Sequence, residues 1–322
     1  MKFSVGYQIS ENQYFIDEII NNKEHIYEVY FSWGDMANGR NNQLNNSMLL
    51  PWEAHQKQIA DLKKLAEKGL SFNLLINGNC YGKDSQSRAF FNEIGNTVDY
   101  ILSEFGLNSI TTTSPLVAKF IKSNFEDIDV RASVNMKIGT VEGIEYLSGY
   151  FDSFYMQREF NRDFNRIKEL KNWCDKHGKK MFMLANSGCL NNCSAQTFHD
   201  NLVSHETEIS KMDNAYQFVG ICRDFLKKEE NYKYLIERTN FVRPEDMHLY
   251  DEYFVAAKLA TRVSRSPASI LKSYINQKYV GNILEILEPA HSIYPYVLEN
   301  GNPLKIIKIN TDIPMYQYEE DK

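Results

Sequence analysis

Short apolar runs alternate with amphipathic helical patterns along most of the chain, and this alternation restricts its fold more than any other feature. Eight of the runs have the character of strands, at residues 3–7, 25–32, 71–77, 109–113, 130–135, 152–157, 180–185 and 254–259. Several are almost continuously apolar, which is typical of strands covered on both faces. Repeated strand–helix units predict a parallel sheet, and eight of them favour an α/β fold closed as a (β/α)8 TIM-type barrel over an open sheet.

The segments between the strands carry clear helix signals. An apolar stripe at helical spacing runs through residues 59–66 and stops at Gly69, a residue type that commonly ends helices. Ser114 followed by Pro115 predicts a helix start, because serine caps the first turn and proline fits its first position. These signals place helices where a barrel requires them.

One connection is much longer than the others. Residues 186–253 separate the seventh and eighth strands and contain three of the five cysteines. Long connections inside compact domains are usually functional or disordered, and this one is too rich in apolar and aromatic residues for simple disorder. We therefore expect a barrel over 1–288 that includes a cysteine-containing insertion at 186–253, and a short C-terminal tail at 289–322.

Composition narrows the class of protein and its compartment. The net charge of −6 argues against a sequence-independent nucleic-acid binder, which needs a basic face, and we expect no sequence-specific DNA binding. The N-terminus lacks the apolar core of a signal peptide, and no run approaches the ~20 apolar residues of a membrane span. We expect a cytoplasmic protein with no membrane contact, whose five cysteines do not form structural disulfides.

Polar and charged residues cluster where the predicted strands end. Barrels of this type build their active sites from these strand ends and the loops that follow them. Such residues are poor core material, so a ligand-facing role is favoured over packing. The residues concerned are Asn79, Cys80, Asn135, Gln157, Arg158, Asn186, Lys258 and Arg262.

The most specific chemical signal is a pair of cysteines in the segment after the seventh strand. Cys189 and Cys193 are separated by three residues, and Cys222 follows within the same insertion. Thiolates bind iron and backbone amides near glycine can hydrogen-bond cluster sulfurs, so the pattern suits an iron–sulfur site. Two alternatives stay open: three unrelated buried thiols, or zinc held by the three cysteines together with His199 or His205.

The remaining two cysteines have different surroundings in the sequence. Cys80 lies at the end of the third strand, where it is a buried small residue, a fourth cluster ligand or a catalytic thiol. Cys174 lies on the apolar stripe of a predicted helix, so we assign it to the core.

Several segments, taken together and in order, resemble the collagenase-like peptidase family (peptidase U-32) over most of the chain. They are TSPLVA at 113–118, VRASVN at 130–135, FDSFYMQR at 151–158 with NRD at 161–163, ANSGC at 185–189 through Cys193 with FH at 198–199, VRPED at 242–246, and KLATR at 258–262 leading into SP at 266–267. The resemblance implies an α/β barrel and, as in many members, a [4Fe–4S] cluster held by four cysteines. It also implies that the reaction is an oxygen-independent hydroxylation of RNA bases or quinone precursors as readily as proteolysis.

The resemblance carries Cys189, Cys193 and Cys222 over as cluster ligands. The fourth family cysteine has no obvious counterpart here, and we expect this chain to lack the extra C-terminal domain seen in many relatives. Either Cys80 or His199 completes the set, or the cluster keeps an open iron, or the site is not a cluster.

The first functional hypothesis is an iron–sulfur enzyme that performs an oxygen-independent redox modification, of the hydroxylation type, on an anionic substrate. Arg158, Arg162, Lys258 and Arg262 would bind the anion, since guanidinium forks pair well with carboxylate or phosphate; ordinary ion pairing is the alternative for these four. The substrate, whether a small molecule, a peptide or RNA, is undetermined.

Two other hypotheses belong to different classes. A peptidase, in the sense of a collagenase-like hydrolase, would use Cys80 as its nucleophile, although no base accompanies that residue in the sequence. A non-catalytic metal-binding subunit would work beside a paralogous barrel partner.

Overall fold

The chain closes into a barrel of eight parallel strands, as the strand–helix alternation predicts. The computed structural model describes residues 1–9, 13–39, 49–213, 216 and 218–309. Each strand pairs in parallel with the next, and the first strand pairs with the eighth. The strands are β1 Phe3–Gly6, β2 Ile26–Phe31, β3 Phe72–Ile76, β4 Ser109–Thr112, β5 Asp129–Ala132, β6 Ser153–Tyr155, β7 Lys180–Leu184 and β8 Ala257–Leu259.

Helices connect the strands on the outside of the barrel. Six of them lie between β1 and β7: α1 Tyr14–Asn21, α2 Pro51–Glu67, α3 Arg88–Glu104, α4 Pro115–Asn124, α5 Val141–Glu145 and α6 Phe164–His177. The signals in the sequence have the expected effect. The Ser114 side chain accepts a hydrogen bond from the N–H of Val117 at the start of α4, and α6 ends at Gly178 in a left-handed conformation.

The eighth strand is shorter than predicted. The sequence pattern begins at Phe254, but β8 begins at Ala257. The N–H of Phe254 instead donates to the carbonyl of Tyr250, which keeps the chain in a turn before it enters the sheet.

The barrel interior is polar rather than apolar. Glu28 lies at its centre and accepts hydrogen bonds from Ser4 and Ser109, each at 2.9 Å. Arg131 is fully buried, pairs with Glu28 and stacks 3.7 Å from the ring centroid of Phe182. Because both charges are paired and their remaining groups are hydrogen-bonded, burial of this ion pair is tolerated.

The insertion at 186–253 is folded and helical. It contains α7 Gln196–Ser204, α8 Glu206–Ile209, α9 Ile221–Phe225 and α10 Tyr234–Glu237. Its end returns to the C-terminal end of β7, where the N–H of Val242 donates to the carbonyl of Ala185, the residue that follows the strand. Hydrogen bonds also connect it to the loop after β3, so the insertion lies over the C-terminal ends of the strands, here called the barrel mouth.

The chain after β8 packs against the barrel and against the insertion. It forms α11 Pro267–Ile275 and a hairpin of β9 Tyr296–Glu299 and β10 Lys305–Lys308. The acidic end at 319–321 lies outside the described residues. No helix in the described ranges is both long and apolar enough to cross a membrane.

Candidate functional site

Three cysteines of the insertion, Cys189, Cys193 and Cys222, lie near one another in a region here called the three-cysteine site. Burial raises the pKa of the Cys222 thiol, and the nearby sulfurs of Cys189 and Cys193 raise it further. The carbon of a side chain added to Gly220 would lie 3.8 Å from both the Cys222 sulfur and Cε1 of His199. All four predicted metal ligands therefore belong to one region of the molecule.

A buried arginine lies against this site. Arg158 follows β6, is only 7% exposed, and hydrogen-bonds the sulfur of Cys189. Burial lowers the pKa of this guanidinium, but Cys189, Asp200 and Glu159 outweigh that effect and leave the pKa raised. The charge of Arg158 thus lies next to a cysteine sulfur, with the carboxyl groups of Asp200 and Glu159 close by.

The chain after β8 makes close contacts with the loop that carries Cys189. A side-chain carbon on Gly188 would lie 2.3 Å from the carbonyl oxygen of Pro289, so only glycine fits there. His291 is buried and its Nε2 lies 3.0 Å from the carbonyl oxygen of Gly188. The Asn186 side chain donates to Ile286 and accepts from the N–H of Ala260. The chain after β8 therefore fixes the position of the cysteine loop.

Two buried polar atoms next to Cys189 have no hydrogen-bond partner among the described residues. They are the hydroxyl oxygen of Ser187 and the side-chain oxygen of Asn191. Buried polar groups in proteins are nearly always paired, so these two atoms call for a further partner, such as an ordered water or a ligand. A serine hydroxyl can donate to a sulfide or thiolate sulfur.

The described residues contain no three His, Cys, Asp or Glu side chains arranged to hold a single metal ion. A mononuclear site would need its donors to converge on one point at bonding distance. The three thiols influence one another electrostatically without converging in this way.

A lysine lies beneath the centre of the mouth. Lys258 is buried on β8, and its Nζ is 4.0 Å from the ring centroid of Tyr30 and 5.3 Å from that of Tyr155. Burial lowers its pKa to about 7, with Arg262 and Arg131 adding to the shift and Glu28 opposing it. The amine can therefore gain or lose a proton near neutral pH.

Arg262 and several amides surround the lysine at the mouth. Arg262 is buried and donates to the side-chain oxygen of Asn38 at 3.1 Å. The amide nitrogens of Asn77 and Asn135 each lie 3.1 Å from where a side-chain carbon on Gly39 would be. Three strand ends therefore bring cationic and amide donors together at the mouth; the substrate-binding roles of Asn135 and Arg262 stay predictions.

Three predicted substrate-binding residues have other contacts. Arg162 donates to the carbonyls of Phe241 and Ile236, so its guanidinium ties the insertion to the barrel. The side-chain oxygen of Gln157 lies against Gly139. Asn79 uses its backbone N–H to bond the Ser204 hydroxyl, while its side-chain oxygen is buried without a partner among the described residues.

Cys80 has partners of its own in the insertion. It hydrogen-bonds His205, whose Nδ1 lies 2.8 Å from Glu208. The imidazole lowers the pKa of the Cys80 thiol, and the N–H of Gly82 acts in the same direction. Cys174 is buried in α6 as predicted, and burial raises its pKa to about 12. The partner that the sequence did not reveal for Cys80 is thus a histidine of the insertion.

The comparisons with known proteins bear on the fold. No protein-family model and no curated protein matches the chain. The solved structure of a U32 peptidase is similar at 12% identity and a TM-score of 0.54, over 80% of this chain and 91% of that one. This similarity confirms the barrel fold that the resemblance implied.

Two further solved structures are more distant. One is a mandelate racemase/muconate lactonizing enzyme-like protein from Rubrobacter xylanophilus, at 8% identity and a TM-score of 0.36, over 64% of this chain and 50% of that one. The other is a dipeptide epimerase from Enterococcus faecalis, at 9% identity and a TM-score of 0.37, over 57% and 47%. The chain thus spans about half the length of either protein.

Proposed function

We propose that this chain is an iron–sulfur enzyme of the peptidase U-32 type, which carries out an oxygen-independent redox modification of an anionic substrate at the barrel mouth. The proposal rests on one observation: Cys189, Cys193 and Cys222 lie near one another, and the buried guanidinium of Arg158 lies beside Cys189. A buried cation aimed at a thiol is favourable where that thiol is ionised. Metal ligation is the usual reason for several thiolates to lie together.

We take the bound group to be a [4Fe–4S] cluster, with zinc as the alternative. The thiolates of a four-iron cluster bind different irons, whereas the donors of a zinc site bind one ion. The thiols of Cys189, Cys193 and Cys222 are close enough to influence one another electrostatically. Cys189, Cys193 and Cys222 would hold three irons, and His199 or an open position would serve the fourth. When bound, the cluster would supply one-electron redox chemistry at the mouth.

The protein's own residues supply substrate binding and proton control. Arg262 presents a fixed positive charge, and Lys258 can exist as a neutral amine. An anionic group bound between them would favour the ammonium form of Lys258, because an opposite charge raises the pKa of an amine. Substrate binding would then draw a proton into the site, where Lys258 can return it to the reacting molecule.

The test is anaerobic iron and sulfide analysis together with electron paramagnetic resonance. We expect ~4 irons per chain and a broad visible absorption. Cys189→Ala should lose both, whereas Cys174→Ala, which removes a core thiol, should keep them. A colourless, iron-free protein from anaerobic preparation would overturn the proposal. Protein that holds iron but shows turnover only with a co-purified second barrel protein would favour the non-catalytic subunit instead.

A further inference from the structure

A backbone hydrogen bond of the residue before Cys80 joins the Cys80 loop to the insertion. The N–H of its neighbour Asn79 donates to the hydroxyl of Ser204 at 2.8 Å, and that hydroxyl donates to the carbonyl of Asp200. Ser204 directly precedes His205. This bond joins the loop after β3 to the end of α7, and so brings residues 80 and 205 face to face.

The three side chains are connected in series. His205 Nδ1 and Glu208 Oε2 lie 2.8 Å apart, and the same imidazole contacts the Cys80 thiol. A carboxylate on one side of an imidazole fixes its orientation and makes the opposite nitrogen a better base. The order thiol, imidazole, carboxylate is that of nucleophilic catalysis by cysteine.

Cys80 and His205 are accessible to reagents in solution. Cys174, the other cysteine outside the three-cysteine site, is buried. Cys80 is partly exposed and the His205 side chain is 30% exposed. The Cys80 thiol and the His205 imidazole are in contact with each other. Cys174, buried in α6, provides an unreactive internal reference.

We propose that Cys80, His205 and Glu208 form a second reactive centre, separate from the three-cysteine site, in which the Cys80 sulfur accepts an acyl group from an ester, thioester or peptide. The sulfur attacks the carbonyl carbon and forms a C–S bond. The bond to the leaving alcohol, thiol or amine breaks, and that group departs with the proton held by His205. Water, deprotonated by His205, then cleaves the thioester, which releases the carboxylic acid and restores the thiol.

The experiment uses the complete, cluster-loaded protein with 4-nitrophenyl acetate as the acyl donor. We expect a burst of roughly one nitrophenolate per chain, with the acetyl group found on Cys80 by peptide mass mapping. Cys80→Ala should abolish the burst. His205→Gln should slow it about a hundredfold, the usual contribution of a general base.

Variants of two neighbouring glutamates test the role of Glu208, the third residue of the proposed centre. Glu208→Gln should slow the burst by only about threefold, because its side chain is largely exposed and its charge is screened. Glu206→Gln, two residues away on the same short helix, should have no effect. Iron content serves as the folding control for each variant.

Two results would overturn the inference. One is an acetyl group spread over surface lysines or found on other cysteines, with a rate that His205→Gln does not change. The other is a Cys80 that reacts no faster than a free thiol in solution. If Cys80→Ala keeps its iron, failure of the acyl-transfer inference would not contradict the cluster proposal.

Discussion

The guanidinium of Arg158 hydrogen-bonds the sulfur of Cys189, although the two residues follow different strands of the barrel. Arg158 comes from the end of β6 and Cys189 from the start of the insertion after β7. A buried arginine that has a thiol as its partner, with Asp200 and Glu159 close by, is well suited to balance the negative charge of thiolates and of a bound cluster.

This contact predicts that Arg158 controls how firmly iron is held. Arg158→Leu removes the charge and the hydrogen bond, so iron should be lost to a chelator at a concentration ~10–100-fold lower than for the wild type. Arg158→Lys should lie in between, because it keeps the charge without the planar fork. Arg88→Gln, an exposed arginine on α3, is the control. Equal chelator resistance in the wild type and the three variants would show that Arg158 does not affect iron binding.

The Gly188 position predicts a steric effect on the same loop. A methyl group there would overlap the carbonyl oxygen of Pro289, so Gly188→Ala must move backbone. We expect the free energy of unfolding to fall by about 1–3 kcal/mol, together with loss of bound iron. Gly149→Ala is the matched control, because a side-chain carbon at Gly149 meets open space. Urea unfolding of both variants measures the difference, and equal stability would contradict the close fit.

Much of the barrel could be predicted because its signals are local. Apolar runs, the Ser114 cap and the stop at Gly178 each act over a few residues, and the structure contains the strands and helices they indicate. The strand ends were less predictable, because β8 begins late where Phe254 is held in a turn by Tyr250. Such a bond depends on neighbours that a sequence pattern does not specify.

The candidate sites depend on contacts between distant residues, and these were harder to predict. From the sequence, His205 is a candidate metal ligand or a hydrogen-bonded structural histidine. Nothing in the sequence connects it with Cys80, which lies more than a hundred residues earlier. The contact arises from the Asn79–Ser204 hydrogen bond, which forms only when the insertion folds over the mouth. The cysteine spacing, in contrast, was local enough to suggest the three-cysteine site.

Arg162 has contacts that indicate a structural role, whereas the sequence predicts a substrate-binding role, and a variant distinguishes the two. Its guanidinium donates to the carbonyls of Phe241 and Ile236 in the insertion. Arg162→Leu should therefore reduce the free energy of unfolding by about 1 kcal/mol and speed proteolysis of the insertion. Affinity for an anionic substrate should stay unchanged. A variant with native stability but weaker binding of the anion would restore the role predicted from sequence.

Lys258 predicts a specific dependence of stability on pH. Its pKa falls from an ordinary 10.5 to about 7 in the folded protein, chiefly because of burial. Between these values the unfolded chain binds a proton that the folded chain does not, so lowering the pH favours the unfolded state. Below pH 7 both states are protonated, and the destabilisation is complete.

Lys258→Met removes this titration, so the variant should gain stability relative to the wild type as the pH falls. Urea unfolding at about pH 9.5 and about pH 7.5 should show a larger advantage for Lys258→Met at the lower value. Lys168→Met, which changes an exposed lysine of α6, should show the same difference from the wild type at both. If the advantage of Lys258→Met does not change with pH, the amine stays charged in the folded barrel. Lys258 would then act only as a fixed cation beside Arg262, and the proton-transfer role proposed for it would be excluded.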